Sequence, residues 1–331
     1  MAIELKSKYT RFRAYQLGQK GSLYSYYDGT DFTLIEAMLT ESVIPQINEE
    51  LIACGFKKGD RIACLHITSW DSDHCESKSL AAILNILKPR RIEFPGYPIK
   101  KEIQNQVDCA QLIVDYYNEL KKEQKTVVAK SITPGYCNTL VTYTKWTYRN
   151  VLFSNKKDYA ESNNNSTIKL FRTGSFTVLS LGDIDHENIK KYLLKEWLVK
   201  NEVDVLLIAH HGAANKVNVK DFFKEVAPTV VVCTSNYDNQ FKHPRQSVRN
   251  YLSELSIPLK TTKNGDVIIT STGDDKRNFS VQDLKANSTE QKGRKINYKS
   301  KRAKYYDKEN NLSSNEDIVE ALRKILEDFG K

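Results

Sequence analysis

Two short apolar runs in the second half of the chain, "VDVLLIA" at 203–209 and "TVVVC" at 229–233, narrow the fold more than any other feature. A strand with one face in water alternates apolar and polar residues, whereas runs like these belong to strands buried on both faces. Helical patterns bracket them: "NIKKYLLKEWLVK", "NVKDFFKEVA" and "PRQSVRNYLSEL". Helices therefore cover the outer face of this sheet, and the pair "PLKTT" and "GDVIITS" closes the domain.

The first half follows a different order. "FRAYQLG", "GSLYSYYDG", "DFTLIEAM" and "RIACLHIT" read as strands, interrupted by one helix, "SVIPQINEELIACGF", that ends at Gly55. An amphipathic helix "ESKSLAAILNILK", a strand "RIEFPGYP", a long helix over 103–124 and a strand "TVVAK" come next. Further strands are expected in "VTYTKWTYRNVLF", "STIKLFRTG" and "SFTVLSLGD", with "NKKDYAESNNNS" as a loop. Strands, helices, strands, helices add up to an α/β four-layer αββα sandwich over residues 1–275. No internal repeat interrupts it.

Charge separates the remainder. The chain carries +9 overall, and residues 276–308 hold eleven Lys/Arg against three Asp/Glu, a net +8. Tyr298, Tyr305 and Tyr306 are interleaved with these cations. Residues 276–312 read as a flexible basic linker suited to nucleic acid, through counterion release and stacking on the rings. Within residues 313–331, Ser314 or Asn315 caps a helix over 314–329. Its apolar stripe of Ile318, Val319, Leu322, Ile325, Leu326 and Phe329 must pack on the body, on a second copy or on another protein. The apolar runs are too short for a membrane helix, and "MAIELKSKYTRFRAYQ" has no apolar signal region. Six cysteines show no C-x-x-C pairing, and Cys64 and Cys233 fall in apolar runs where a reduced thiol is at home. A cytoplasmic protein without a membrane partner is the expectation.

Four turns share one grammar. "TSWDSDHCES" crowds Asp71, Asp73 and His74 between a strand and a helix. "VLSLGDIDH" sets Asp183 just beyond a strand, "VLLIAHHGA" does the same with His210 and His211, and "NQFKHPRQ" with Lys242 and His243. Of six histidines only His66 lies inside a strand, as a core residue; the others, His186 included, fall in or next to these turns. Carboxyl ends of strands are where open sheets place their sites. Several carboxylates and neutral imidazoles gathered there suit a divalent cation, zinc or manganese, with magnesium as an alternative.

In order and spacing these turns resemble the metallo-β-lactamase fold, and most closely its ComEC-type, competence-protein-like branch. That branch carries H-x-D-x-D-H between strand and helix, which stands here as Ser69-Trp70-Asp71-Ser72-Asp73-His74. "YQLGQKGSLYSYYDG", "NNNSTIKLF", "LSLGDI", "IAHHGA", "KHPRQSV" and "TTKNGDVIIT" are similar to its remaining motifs, so the resemblance spans about 12–270. Two departures stand out: Ser69 replaces the first histidine, and nothing near "NNNST" matches the family's middle histidine. The resemblance implies one strong metal site from Asp73, His74, the bridging Asp183 and His210 or His211. It implies a second, weak site near Asp71 and Ser69.

It further implies a metal-dependent phosphodiester hydrolase, foremost a nuclease acting on DNA. Asp71 or Asp73 would accept a proton from water, and Lys242 and His243 would meet phosphate oxygens or protonate the leaving oxygen. A hydrolase of small cyclic nucleotides and a binding module with weakened or lost catalysis are the alternatives.

Overall fold

The computed structural model describes residues 8–139, 149–153, 159–273 and 278–303. Its first half contains β1 (Arg11–Ala14), β2 (Tyr24–Tyr27), β3 (Phe32–Ile35), α1 (Val43–Ala53), β4 (Cys64–His66), α2 (Ser77–Leu87), β5 (Arg91–Pro95), α3 (Gln104–Lys122), β6 (Val128–Ile132) and α4 (Pro134–Thr139). The second half contains β7 (Val151–Phe153), β8 (Ile168–Phe171), β9 (Val178–Ser180), α5 (Glu187–Leu193), α6 (Trp197–Glu202), β10 (Val205–Leu207), α7 (Lys220–Val226), β11 (Val230–Cys233), α8 (Gln246–Glu254) and β12 (Leu259–Thr261). Three strands follow: β13 (Val267–Thr272), β14 (Asn278–Leu284) and β15 (Gln291–Lys299).

Nine strands form one sheet in the order β15-β14-β13-β1-β2-β3-β4-β5-β6, and six form the other, β12-β11-β10-β9-β8-β7. From β3 to β6, and from β9 to β12, neighbouring strands run parallel. Three apolar cores make the layers. Phe12, Ala14, Tyr26, Phe171, Val205 and Val232 meet between the sheets. Leu34, Leu65 and Ile92 pack outward under α1, α2 and α3, and Leu206 and Val231 under the helices of the second sheet. The runs at 203–209 and 229–233 lack alternation for this reason: Val205 and Val230 face the other sheet, while Leu206 and Val231 face helices. The order of layers is αββα.

Local sequence explains the helix that follows the acidic turn. In α2, Leu80, Ile83, Leu84 and Leu87 recur at helical spacing and are buried, and the Glu76 side chain caps the start by accepting from Ser79 N at 2.7 Å. In "NIKKYLLKEWLVK" the structure has two helices, α5 and α6, where one was expected. Leu193 and Leu198 are both buried, and five residues of unbroken helix would set them about 140° apart.

The reading of 276–312 as a flexible linker does not hold for 278–299. Those residues form β14 and β15, which extend the large sheet beyond β13, and Phe279, Val281 and Leu284 are buried. The sandwich therefore continues past residue 275. The end of β15 leads to Lys301, whose backbone N–H donates to the buried Asp204 carboxylate at 2.7 Å. The helix expected at 314–329 and Tyr305 and Tyr306 lie outside the described residues. Among those described, no helix is long and apolar enough to cross a membrane.

Candidate metal centre

Because the parallel strands of both sheets end on one rim, the turns after β4, β9 and β10 face one another. Asp73, His74, Asp183 and His211 each offer an atom there, all within 4.8 Å of one another. His74 Nε2 lies 3.0 Å from Asp183 Oδ1, and His211 Nε2 lies 3.5 Å from Asp73 Oδ2 and 3.9 Å from Asp183 Oδ1. Asp73, His74 and Asp183 are buried.

The two imidazoles are held from behind. His74 Nδ1 is 3.0 Å from Glu36 Oε1 in a pair where only the ring nitrogen can donate to a carboxylate. Glu36 is fixed in turn by Thr68, whose N–H and hydroxyl both donate to it. His211 Nδ1 faces the Thr234 carbonyl at 3.2 Å, again as donor. Each ring therefore turns Nε2 into the cluster, and both Nε2 atoms are buried without a hydrogen bond. Two orphaned imidazole nitrogens beside two carboxylates are a donor set that fits zinc or manganese, with the outer hydrogen bonds such ligands require. The charges agree. Burial lowers the affinity of His74 for a proton, but Asp183 and Glu36 outweigh it and hold its pKa well above the ordinary histidine value. His211 is raised in the same way by Asp183 and Asp73 against its burial. Burial would raise Asp183, yet His74 and His211 bring it down to about 2; Asp73 is lowered further, against its own burial, by His211, His74 and Lys20. A cation entering would take the place of imidazole protons.

Of the two adjacent histidines, distance to the carboxylates picks out one. His210 and His211 both have left-handed φ, 49° and 51°, and only His211 joins the four. His210 sits at the edge, its Nε2 3.9 Å from Asp183 Oδ2. Gly182, ahead of Asp183, has φ +55° and no room for a Cβ, which would meet Ser166 Cβ at 2.7 Å.

Asp71 stands outside the four but lines the same open cleft of about 310 Å³, together with Lys20, Asp73, Asn163, Asp183 and His210. Ser69 is buried, with its hydroxyl 3.1 Å from Tyr97 OH and 3.2 Å from Asp71 Oδ2. Lys242 is exposed, and neither it nor His243 lines the cleft. The His243 ring stacks on Phe241 and lies 6.2 Å from that of His210. Burial, and the nearby His211, His210 and Arg245, lower its pKa to about 4. His186 caps α5 instead of joining the cluster, and His66 is a core residue bound to Glu93 at 2.9 Å. Sequence reasoning missed Glu36, Lys20, Thr234 and Tyr97. Only Glu36 left a signal, as the lone charge within the apolar run "TLIEAM".

Two facing sheets with helices outside, and His and Asp gathered at the strand ends, decide the fold. The chain has the metallo-β-lactamase fold. No family model matches the chain. It is 28% identical over 118 residues to ComE operon protein 3 of Bacillus subtilis (strain 168), a match covering 35% of this chain and 15% of that protein. It is also 28% identical over 102 residues to competence protein ComA of Neisseria gonorrhoeae, covering 31% of this chain and 14% of that protein. The matched part is thus a small fraction of either relative. Among solved structures it is similar to the metallo-β-lactamase fold protein YhfI of Bacillus subtilis, at 11% identity with a TM-score of 0.43, over 77% of this chain and 97% of that one. It is likewise similar to Igni18, a metallo hydrolase of Ignicoccus hospitalis KIN4/I, at 12% identity with a TM-score of 0.45, over 78% and 98% of the two chains. A third likeness, to a diphosphatase of the PhnP family, has 11% identity and a TM-score of 0.38, over 77% and 94%.

Proposed function

We propose that this chain is a metal-dependent phosphodiester hydrolase acting on nucleic acid, with DNA as the first candidate. The observation that carries the reading is the convergence of Asp73, His74, Asp183 and His211, with two buried imidazole nitrogens left unsatisfied. A divalent ion supplies a Lewis acid that activates water and polarises a phosphoryl oxygen. Asp71 is the better base of the two aspartates named from sequence. It is partly exposed in the cleft, whereas Asp73 is engaged with His211 and Lys20. Burial and neighbouring charge disfavour the protonated form of His243, which suits it to hydrogen bonding with a phosphate better than to protonating a leaving group. One strong and one weak metal position remain part of the reading, because Ser69 is tied to Tyr97 and offers only a neutral hydroxyl.

A polymeric substrate is favoured by the openness of the cleft and by the exposed strand β15, which carries Lys292, Arg294 and Lys295. The turn leading into β15 lies near the cleft's side of the sheet: Asn287 N donates to Gln16, four residues before Lys20. The similarity to a relative named as a competence protein points the same way. A binding module without catalysis is the second reading, and the altered Ser69 position favours it. Elemental analysis combined with digestion of single- and double-stranded DNA in added Zn²⁺, Mn²⁺ or Mg²⁺ separates the two. The nuclease reading expects bound metal and cleavage that Asp183→Asn abolishes while the fold survives. Metal binding with no cleavage of any nucleic acid would leave the binding module. Protein that takes up no divalent ion would overturn both metal-based readings.

A further inference from the structure

The loop between β1 and β2 brings one more charge to the cluster. Lys20 Nζ lies 3.2 Å from Asp73 Oδ2 and lines the cleft beside Asp71 and Asp183. The side chain is 64% exposed, but the backbone that carries it is fastened to the cluster. Ser22 N donates to the Asp73 carbonyl at 3.0 Å, and Ser22 Oγ is 2.6 Å from Thr234 Oγ1 and 3.4 Å from His211 Nδ1. Gly21, at φ +129°, allows this approach, since a Cβ there would meet Met38 Cε at 2.9 Å and Asp73 O at 3.0 Å. A long, flexible cation is therefore delivered by a rigid support onto the carboxylate of one cluster residue.

Beyond the four, only Asp71 and His210 of the described side chains lining the cleft are carboxylate or imidazole, so a second ion would find few groups to hold it, and polar atoms nearby are already engaged. The Ser69 hydroxyl is engaged with Tyr97 and Asp71, Asn164 Oδ1 accepts from Asp185 and His186, and Ser166 Oγ accepts from Asp183 N. A phosphodiester brought to a single ion would need another positive group for its remaining oxygen. We propose that Lys20 is that group, a phosphate-binding residue that pairs with Asp73 in the ion-free protein and turns to a non-bridging oxygen when an ion takes Asp73. The proposal rests on the metallo-hydrolase reading of the cluster and assigns to this chain's own lysine the charge that a second ion would bring.

One ammonium cannot serve both partners at once, so its removal has effects of opposite sign. In the ion-free protein Lys20 competes with the ion for Asp73, and in the loaded protein it attracts phosphate. Zinc affinity measured by chelator competition should tighten roughly two- to five-fold in Lys20→Ala, the scale of an exposed ion pair. Inorganic phosphate binding to the zinc-loaded protein, measured by calorimetry, should weaken about ten-fold, the loss of one charge-assisted contact. Lys20→Arg should restore phosphate binding. Unchanged zinc and phosphate affinities in Lys20→Ala would overturn the proposal. A loss of both would overturn it too, marking Lys20 as a structural support of the loop. Unmodified protein that binds no zinc would overturn the parent reading, a result distinct from a zinc-binding protein in which Lys20 proves indifferent.

Discussion

Glu36→Gln tests whether the cluster is built from behind. Glu36 is 2% exposed and accepts three hydrogen bonds, from Thr68 N at 3.0 Å, Thr68 Oγ1 at 2.5 Å and His74 Nδ1 at 3.0 Å. An amide has the same shape but only one accepting end. If its oxygen faces His74, its NH₂ meets the Thr68 N–H, and two buried donors confront each other at a cost of about 1–3 kcal/mol. If it is turned round, the NH₂ meets Nδ1, which must then lose its proton to accept, leaving the ring's one proton on Nε2. An entering ion then finds no lone pair on Nε2, and metal affinity falls by roughly 10- to 100-fold, as for other lost supporting bonds. Chelator competition with zinc reads the affinity, and urea unfolding of the ion-free protein reads the stability. Loss of stability or affinity, or both, is the expected outcome. A variant that keeps wild-type stability and binds zinc within two-fold of the unmodified protein would refute the reasoning.

Three further outcomes follow from named contacts. Ser69→His alone should destabilise the fold by about 1–3 kcal/mol through overpacking against Tyr97 and recruit no second ion, whereas Ser69→His with Tyr97→Ala should gain one by elemental analysis. Reversing Lys292, Arg294 and Lys295 to Glu should weaken DNA binding and flatten its log–log salt slope by about 2, at roughly 0.7 per phosphate contact on a single strand. An unchanged slope across a salt titration would remove β15 from the nucleic-acid surface. Asp204 is fully buried, and burial outweighs its bonds to Lys301 N and Thr177 N and raises its pKa from 3.8 to about 6. A folded pKa above the unfolded one means stability that is complete below about pH 4 and lost as pH rises through 6, on the order of 3 kcal/mol in all. Urea titrations of wild type and Asp204→Asn at pH 4 and pH 7 should show the difference between them shifting toward the variant by that order at the higher pH.

The tail shows why composition misleads. Eleven cations between 276 and 308 hide the fact that Phe279, Val281 and Leu284 enter the core on one strand. Hydropathy averages over a window, whereas burial acts residue by residue, so a strand with one apolar and one polar face, followed by a strand rich in Lys and Arg, reads as a linker. The same limit explains the break between α5 and α6, since the phase of each buried residue depends on the sheet beneath it.

The sequence by itself determined the order of layers and the turns where chemistry gathers. Apolar runs such as "VVVC" state their burial locally, and Asp73, His74 and Asp183 each follow a strand whose end is legible within ten residues. Tertiary structure alone decided which neighbouring histidine faces inward, because His210 and His211 share a turn and nearly the same φ, and only the distance to Asp73 and Asp183 tells them apart. It also decided the groups that hold the site: Glu36 is 38 residues from His74, and Ser22 is 212 from Thr234. A buried hydrogen bond across such a separation leaves no periodic trace in the chain, because it depends on where two backbones meet and not on what surrounds either residue in sequence.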